Sequence, residues 1–395
     1  MKILWVKTDF LHPTNRGGQI RTLEMLRQLH RRHEIHYLAL DSGEFPEGPG
    51  RAGEYSSFHY AVPHVPPSKT SLTFFAQLVG GLFSPLPVSI ARYRSAAMQR
   101  QVEALLGTHH FDAIVCDFLF PAINLPEPSK AIVFQHNVEA VIWERHARHG
   151  RTPLHRWYFG GQHRRMRAFE NRICREAKGV IAVSEADAAT FRNDYGIPEV
   201  PWVPTGVDVE YFNPPDTPPP PKAELVFIGS MDWMPNIDAA RWFADDIFPL
   251  IRASRPDCTV AFVGRQPTAA VLALADRVPG LTITGTVPDV RPWLYGGLVS
   301  IVPLRIGGGT RLKVYEAMAA GCPVISTSIG AEGLDYRDGE NIILADTPAA
   351  FAEGCLRLLN DAERRRSLAT SARDFVAAHY SWESVAARFE QALVR

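Results

Sequence analysis

A chain of 395 residues, at about 150 residues per domain, holds two or three domains and a sizeable core. Hydrophobic residues make up 46% and charged residues 21%, which excludes disorder as the main state. Lys plus Arg (42) balances Asp plus Glu (42), so neither a general nucleic-acid binder nor an acidic solvating tail is expected.

Residues 2–6 form a short apolar run that meets Lys7 and Asp9 before it reaches the length of a secretory signal, and they read as a first buried strand. Next comes HPTNRGGQIRT, where Gly17 and Gly18 open a helix between Arg16 and Arg21, a spacing that suits either a tight turn or an anion-facing loop. Neither a GxGxxG nor a Walker loop occurs there. Strands are predicted at 35–40, 113–116, 131–134 and 180–183, with helices starting near Asn137 and at Ser184, whose hydroxyl is a natural N-cap. The longest apolar stretch, 71–83, falls short of the roughly 20 residues that span a bilayer and suits a core helix or an interfacial anchor. From Arg145 to Lys178 ten Arg or Lys face only Glu170 and Glu176, with Trp157, Tyr158 and Phe159 between them. That segment, including Arg164 and Arg165, reads as a solvated helix face or as a surface for an anionic membrane or a phosphate-bearing acceptor.

Residues 213–221, NPPDTPPPP, favour polyproline II and mark a domain boundary. Strands then resume at 225–228, 259–263, 281–284, 299–302, 324–326 and 342–344, so both halves are α/β, and two doubly wound Rossmann-like domains facing a cleft are expected. The division is 1–205, a linker at 206–223, 224–378, and a terminal amphipathic helix at 379–395 that crosses back to the first domain. Five scattered cysteines with no Cys-x-x-Cys pair argue against disulfides and zinc, and for a reducing cytosol.

The most informative stretch is PLRIGGGTRLKVYEAMAAGCPV at 303–324. Here Gly307, Gly308 and Gly309 let the backbone approach a ligand, Thr310 is positioned to cap the next helix, and Arg311 and Lys313 crowd its positive end. A diphosphate would satisfy the backbone donors, the dipole and both cations, and Glu316 would accept hydrogen bonds from a ribose beside it. The competing reading is a plain turn followed by a solvated Lys–Glu pair.

In order, Gly17–Gly18, VFQHN with His136, IAVSEAD at 181–187, PTGVDVEYF at 204–212, FIGSM, TGTVPDV at 284–290 and YEAMAAGCPVIS resemble the retaining nucleotide-sugar glycosyltransferases of GT-B fold, the family 4 or group 1 type. The resemblance implies transfer of a sugar from a nucleotide diphosphate sugar to a glycan or lipid-linked acceptor. It also implies retention of configuration, no metal or other cofactor, and a role in cell-surface or exopolysaccharide assembly. Nucleic acid is not an expected partner, and the expected location is the cytoplasm or the inner face of the cell membrane. It further implies His136 beside the reacting sugar, Glu316 on the ribose, and Gly264, Arg265 and Val287 at the base. Two departures stand out. Gly308 occupies the place of the first of the family's two glutamates, and GSMDWMPN lacks the family's Arg and Lys, so Arg311 and Lys313 are assigned the diphosphate. A sugar-nucleotide epimerase and a non-catalytic sugar-nucleotide-binding protein are the alternatives.

Overall fold

The computed structural model describes residues 1–14, 17–65, 84–148, 152–217, 219–306 and 311–394. The apolar stretch at 71–83, Arg16, and Gly307, Gly308, Gly309 and Thr310 lie outside them. Two compact units are present, Met1–Pro204 with Val385–Arg395, and Thr205–Ser384.

The first unit is built on strands β1 (Lys2–Lys7), β2 (Glu34–Asp41), β3 (Phe58–Pro63), β4 (Ala113–Asp117), β5 (Ile132–Phe134) and β6 (Gly179–Ile181). They form one parallel sheet in the order β3-β2-β1-β4-β5-β6. Every β1 residue from Ile3 to Lys7 is buried, as expected of a central strand covered on both faces. Strand β3 is the one that periodicity did not reveal. Five of its six residues remain partly or fully exposed at the sheet edge, so no apolar run announces it, and an edge also tolerates its terminal Pro63. The helices that matter below are α1 (Gly17–His30), α2 (Glu139–Arg148), α3 (Pro153–Glu176) and α4 (Glu185–Tyr195). The Ser184 hydroxyl accepts from Asp187 N and starts α4, and Gly196, at φ 65°, ends it.

The second unit repeats the plan with β7 (Leu225–Ile228), β8 (Val260–Val263), β9 (Leu281–Ile283), β10 (Val299–Val302), β11 (Val324–Ser326) and β12 (Ile343–Leu344), ordered β12-β11-β10-β7-β8-β9 and again parallel. Helices α5 (Met234–Trp242) and α6 (Leu312–Ala319) follow β7 and β10. The boundary falls at 204/205, ahead of the proline run. Those prolines belong to the second unit, where the backbone of Pro219 to Pro221 lies against Gly296 closely enough that a Cβ there would press on it. The terminal helix α7 (Trp382–Val394) forms as the apolar spacing predicts. Its residues from Val385 onward belong to the first unit: Phe389 packs on Trp5 and Phe134 at 5.4 and 4.9 Å between ring centroids, and Glu390 takes His33 and Arg32 at 3.0 Å each.

Sheet order fixes where ligands can go. In the first unit the chain reverses its direction of growth between β1 and β4, and in the second between β7 and β10, so each sheet opens a crevice at the carboxyl ends of those strands.

Candidate functional site

At the β1/β4 switch point of the first unit, four buried donors converge on Asp117. His136 Nε2 lies 2.7 Å from Oδ1, and Oδ2 accepts from Lys7 Nζ at 2.9 Å, Trp5 Nε1 at 3.0 Å and Thr22 Oγ1 at 2.7 Å. Burial alone would raise this carboxyl, but Lys7 and His136 outweigh it and hold Asp117 well below the usual carboxylate range. Burial brings the His136 imidazole down to about 4, against the pull of Asp117, so the ring is neutral near pH 7 with its proton on the nitrogen facing the carboxylate. His136 Nδ1 then keeps a lone pair on the opposite side, facing Gly18, where a Cβ would stand 3.9 Å away.

The phenyl ring of Phe118 stacks on His136 at 3.8 Å and 14°, with Lys7 Nζ 4.4 Å from its centre. Phe118 holds φ 69°, a conformation a bulky side chain rarely takes, and its burden is consistent with a site that needs this ring in place. A Cβ at position 18 would fall 2.7 Å from Phe118 Cζ, so the ring would have to shift, while Gly17 faces open space. Arg21, on the next turn of α1, is buried, which brings its guanidinium down to about 10 while Asp117 and Asp187 act to keep it charged. One turn behind His136, Glu170 of α3 closes the start of α2 by accepting from Glu139 N and Ala140 N at 2.9 and 3.0 Å, and from the Tyr195 hydroxyl at 2.8 Å.

In the second unit, helix α6 begins at Leu312 with Arg311 at its N-cap, so the cap expected from Thr310 falls one residue later, with no side-chain cap bond. Lys313 Nζ reaches across to Asn236 Oδ1 of α5 at 2.8 Å, and Asn236 Nδ2 donates to Ser230 O at 2.8 Å, just beyond the end of β7. Burial, with Arg311 adding to it, brings the Lys313 ammonium down to about 8. Arg311 is buried as well. Its Nε donates to Ile329 O at 3.4 Å, its guanidinium lies 6.0 Å from the Trp233 ring, and burial lowers its pKa. The carboxyl of Glu316 is raised by burial, with Lys313 opposing.

Gly264 follows β8 at φ 155°, and a Cβ there would collide with the Gly229 carbonyl just past β7, while a Cβ at Gly229 would press on the Asn236 side chain at 2.6 Å. Arg265 is exposed, with Nε 3.0 Å from Ser230 Oγ. Val287 is half-buried and packs against the small cluster of Ala223, Val226, Ala261 and Val263. Residues at 313, 236, 230 and 265 are therefore linked at one switch point. On α3, Arg164 is exposed and Arg165 half-buried. Among the described residues no group of three His, Cys, Asp or Glu is placed to hold a metal ion.

Sequence reasoning missed Lys7, Thr22, Asp117 and Phe118, as well as Ser230, Trp233 and Asn236. A signal existed for two of them, since Lys7 and Asp117 are charges closing otherwise apolar strands, at the ends where such sheets bind ligands.

Residues 15–211 match the profile of glycosyltransferase family 4, and residues 222–361 that of the glycosyl transferases group 1. The chain belongs to this glycosyltransferase family. Among its curated relatives are an uncharacterized 44.6 kDa protein in the cps region of Klebsiella pneumoniae, and a GDP-mannose-dependent monoacylated alpha-(1-6)-phosphatidylinositol monomannoside mannosyltransferase of Corynebacterium glutamicum. The first is 23% identical over 41% of this chain and 43% of its own, the second 26% identical over 56% and 63%. The chain thus spans less than two thirds of the length of either relative. Over its whole length the fold is similar to that of Anabaena HepE in complex with UDP (TM-score 0.65, 14% identity, 100% and 99% of the two chains). It is likewise similar to WaaG, a glycosyltransferase involved in lipopolysaccharide biosynthesis (0.60, 15%, 99% and 99%). The GT-B architecture of two parallel six-stranded sheets is shared across these structures.

Proposed function

We propose that this glycosyltransferase moves a sugar from a nucleotide diphosphate sugar to a glycan or lipid-linked acceptor, with retention of configuration and without a metal, in the assembly of a cell-surface polysaccharide. The observation that carries the reading is Lys313: a half-buried ammonium at the β7/β10 switch point, hydrogen-bonded to a neutral amide and standing in the first turn of α6. In this reading a diphosphate binds at Lys313 and Arg311, and Glu316 is assigned to the ribose, as the family resemblance implies. In the transfer the bond from the anomeric carbon to the diphosphate oxygen breaks and one to the acceptor oxygen forms. The acceptor proton passes to the departing phosphate, whose charge Lys313, Arg311 and the start of α6 stabilise. His136, whose Nδ1 keeps its lone pair, is assigned to the transfer step, as the family resemblance implies.

A role in polysaccharide assembly is supported by the cps-region relative and by the solved lipopolysaccharide enzyme. Work on the inner face of the membrane is supported by Leu154 and Trp157, exposed in the first turns of α3 beside Arg156 and Arg164. Vesicle binding that falls with salt, and with charge reversal at Arg164 and Arg165, is the expected result; salt-insensitive or absent binding would remove this basic face as a membrane surface. Gly308, standing in place of a glutamate, favours a second reading, a protein that binds the sugar nucleotide without turnover. The deciding experiment incubates the full chain with UDP- and GDP-sugars. Transfer or slow donor hydrolysis, with the donor's anomeric configuration kept in the product, supports the first reading. Saturable binding alone supports the second, and an isomerised donor would support an epimerase.

A further inference from the structure

Asn236 of α5 is only 2% exposed, and both ends of its amide are engaged. Nδ2 donates to Ser230 O at 2.8 Å, and Oδ1 accepts from Lys313 Nζ at 2.8 Å. A carbonyl can only accept, so Ser230 fixes the amide with its NH2 group on that side and turns Oδ1 toward the ammonium. Gly229, the residue after β7, makes room for the pair: a Cβ there would fall 2.6 Å from Asn236 Nδ2 and 3.1 Å from Lys313 Nζ. A third neighbour is the Phe227 ring, whose centre lies 5.0 Å from Nζ. Lys313 is thus anchored at the carboxyl end of β7 by a neutral amide and an aromatic face. Among the described residues no carboxylate forms an ion pair with it, and no Asp or Glu lies outside the described residues to supply one.

We propose that Asn236 is a positioning residue of the donor site: its amide turns the Lys313 ammonium to the end of β7 and holds it there without neutralising it, which leaves the charge for the diphosphate of a nucleotide donor. The assignment rests on the glycosyl-transfer reading and adds a residue that acts through Lys313 rather than by touching the nucleotide. A carboxylate at 236 would bond the ammonium more strongly, as an ion pair. It would also cancel the charge that a diphosphate meets and set its own negative charge beside the phosphates. An amide of the same shape avoids both effects. The need for it follows from the sequence after β7, GSMDWMPN, which carries no Lys or Arg of its own. The ammonium that serves this strand end therefore comes from α6, 77 residues away from Asn236, and has to be brought across and held.

Calorimetry on the full chain with UDP and with GDP tests this, with thermal unfolding as the control for folding. The nucleotide that binds the parent should bind Asn236→Asp about tenfold more weakly or worse, and Asn236→Ala about threefold more weakly. Gly229→Ala, which presses on the same pair from the strand, should act in the same direction and keeps the test open should Asn236→Asp not fold. In a Lys313→Met background Asn236→Ala should add nothing, because the group it orients is gone. NMR of the Lys313 side chain gives a readout that a purely structural role would not move. Its titration lies near about 8 in the parent, where burial and Arg311 lower it and Glu316 raises it, and should shift upward in Asn236→Asp. The proposal is overturned if Asn236→Asp binds the nucleotide like the parent, or if Asn236→Ala weakens binding equally with and without Lys313. Failure of the donor reading looks different: Lys313→Met then binds UDP and GDP like the parent, and the proposal falls with it. Weaker binding by Lys313→Met with every Asn236 variant unaffected removes Asn236 alone.

Discussion

His136 Nε2 and Asp117 Oδ1 stand 2.7 Å apart with both side chains buried, and the carboxylate fixes which face of the imidazole carries the proton. The ring should remain neutral from pH 5 to 9, with the proton on Nε2, because burial holds it at about 4. Nitrogen-resolved NMR of the His136 ring reads this directly, and a midpoint near the ordinary 6.5 would contradict the geometry. His136→Ala should lower transfer about 10²-fold or more and leave UDP binding unchanged. Asp117→Asn should instead cost about 3–5 kcal/mol of stability, because it leaves the Lys7 ammonium buried without its counter-charge.

The two glycines that open α1 should behave differently. Gly17→Ala meets open space and should be neutral or stabilising by roughly 0.5–1 kcal/mol. Gly18→Ala puts a methyl group into the Phe118 ring, should cost roughly 1–3 kcal/mol, and should lower transfer by moving the ring off His136. Denaturant melts with parallel rate measurements separate the two, and equal behaviour of both variants would rule out the close approach.

Lys313 makes both stability and nucleotide binding depend on pH. Its folded value of about 8 lies below the ordinary 10.5, so between these the unfolded chain holds more protons. Stability of the ligand-free protein should therefore rise as pH increases from about 8 to 10.5, by an amount on the order of 1–3 kcal/mol, and Lys313→Met should flatten that rise. Affinity for UDP should move the opposite way, falling as pH passes 8, because the diphosphate needs the ammonium. Calorimetry at pH 6.5 and 9.5 checks it; a pH-independent affinity would take Lys313 out of the diphosphate site.

Burial, together with the neighbouring Glu170, pushes the Glu139 carboxyl up to about 7. The folded chain holds the extra proton between about 4.5 and 7, so stability falls as pH rises through that window, and Glu139→Gln should recover about 1–3 kcal/mol at pH 8. Glu170→Ala should destabilise at the same pH, since two amide donors of α2 and the Tyr195 hydroxyl lose their acceptor. Opposite signs for two adjacent acids are the distinguishing result in chemical denaturation.

The sequence by itself determined the two α/β halves, eleven of the twelve strands and the helix that follows the glycine-rich loop, because each is written in local periodicity and in cap residues such as Ser184 and Gly196. It also pointed to His136 and Lys313, since both lie within motifs next to a strand or helix end. Tertiary structure alone decided what those two side chains meet. Asp117 is 19 residues from His136 and 110 from Lys7, and Asn236 is 77 from Lys313, so these pairs arise only when parallel strands set distant strand ends side by side. The edge strand β3 escaped for the same reason. Its meaning lies in which neighbours the sheet gives it, and no window of local sequence contains those neighbours.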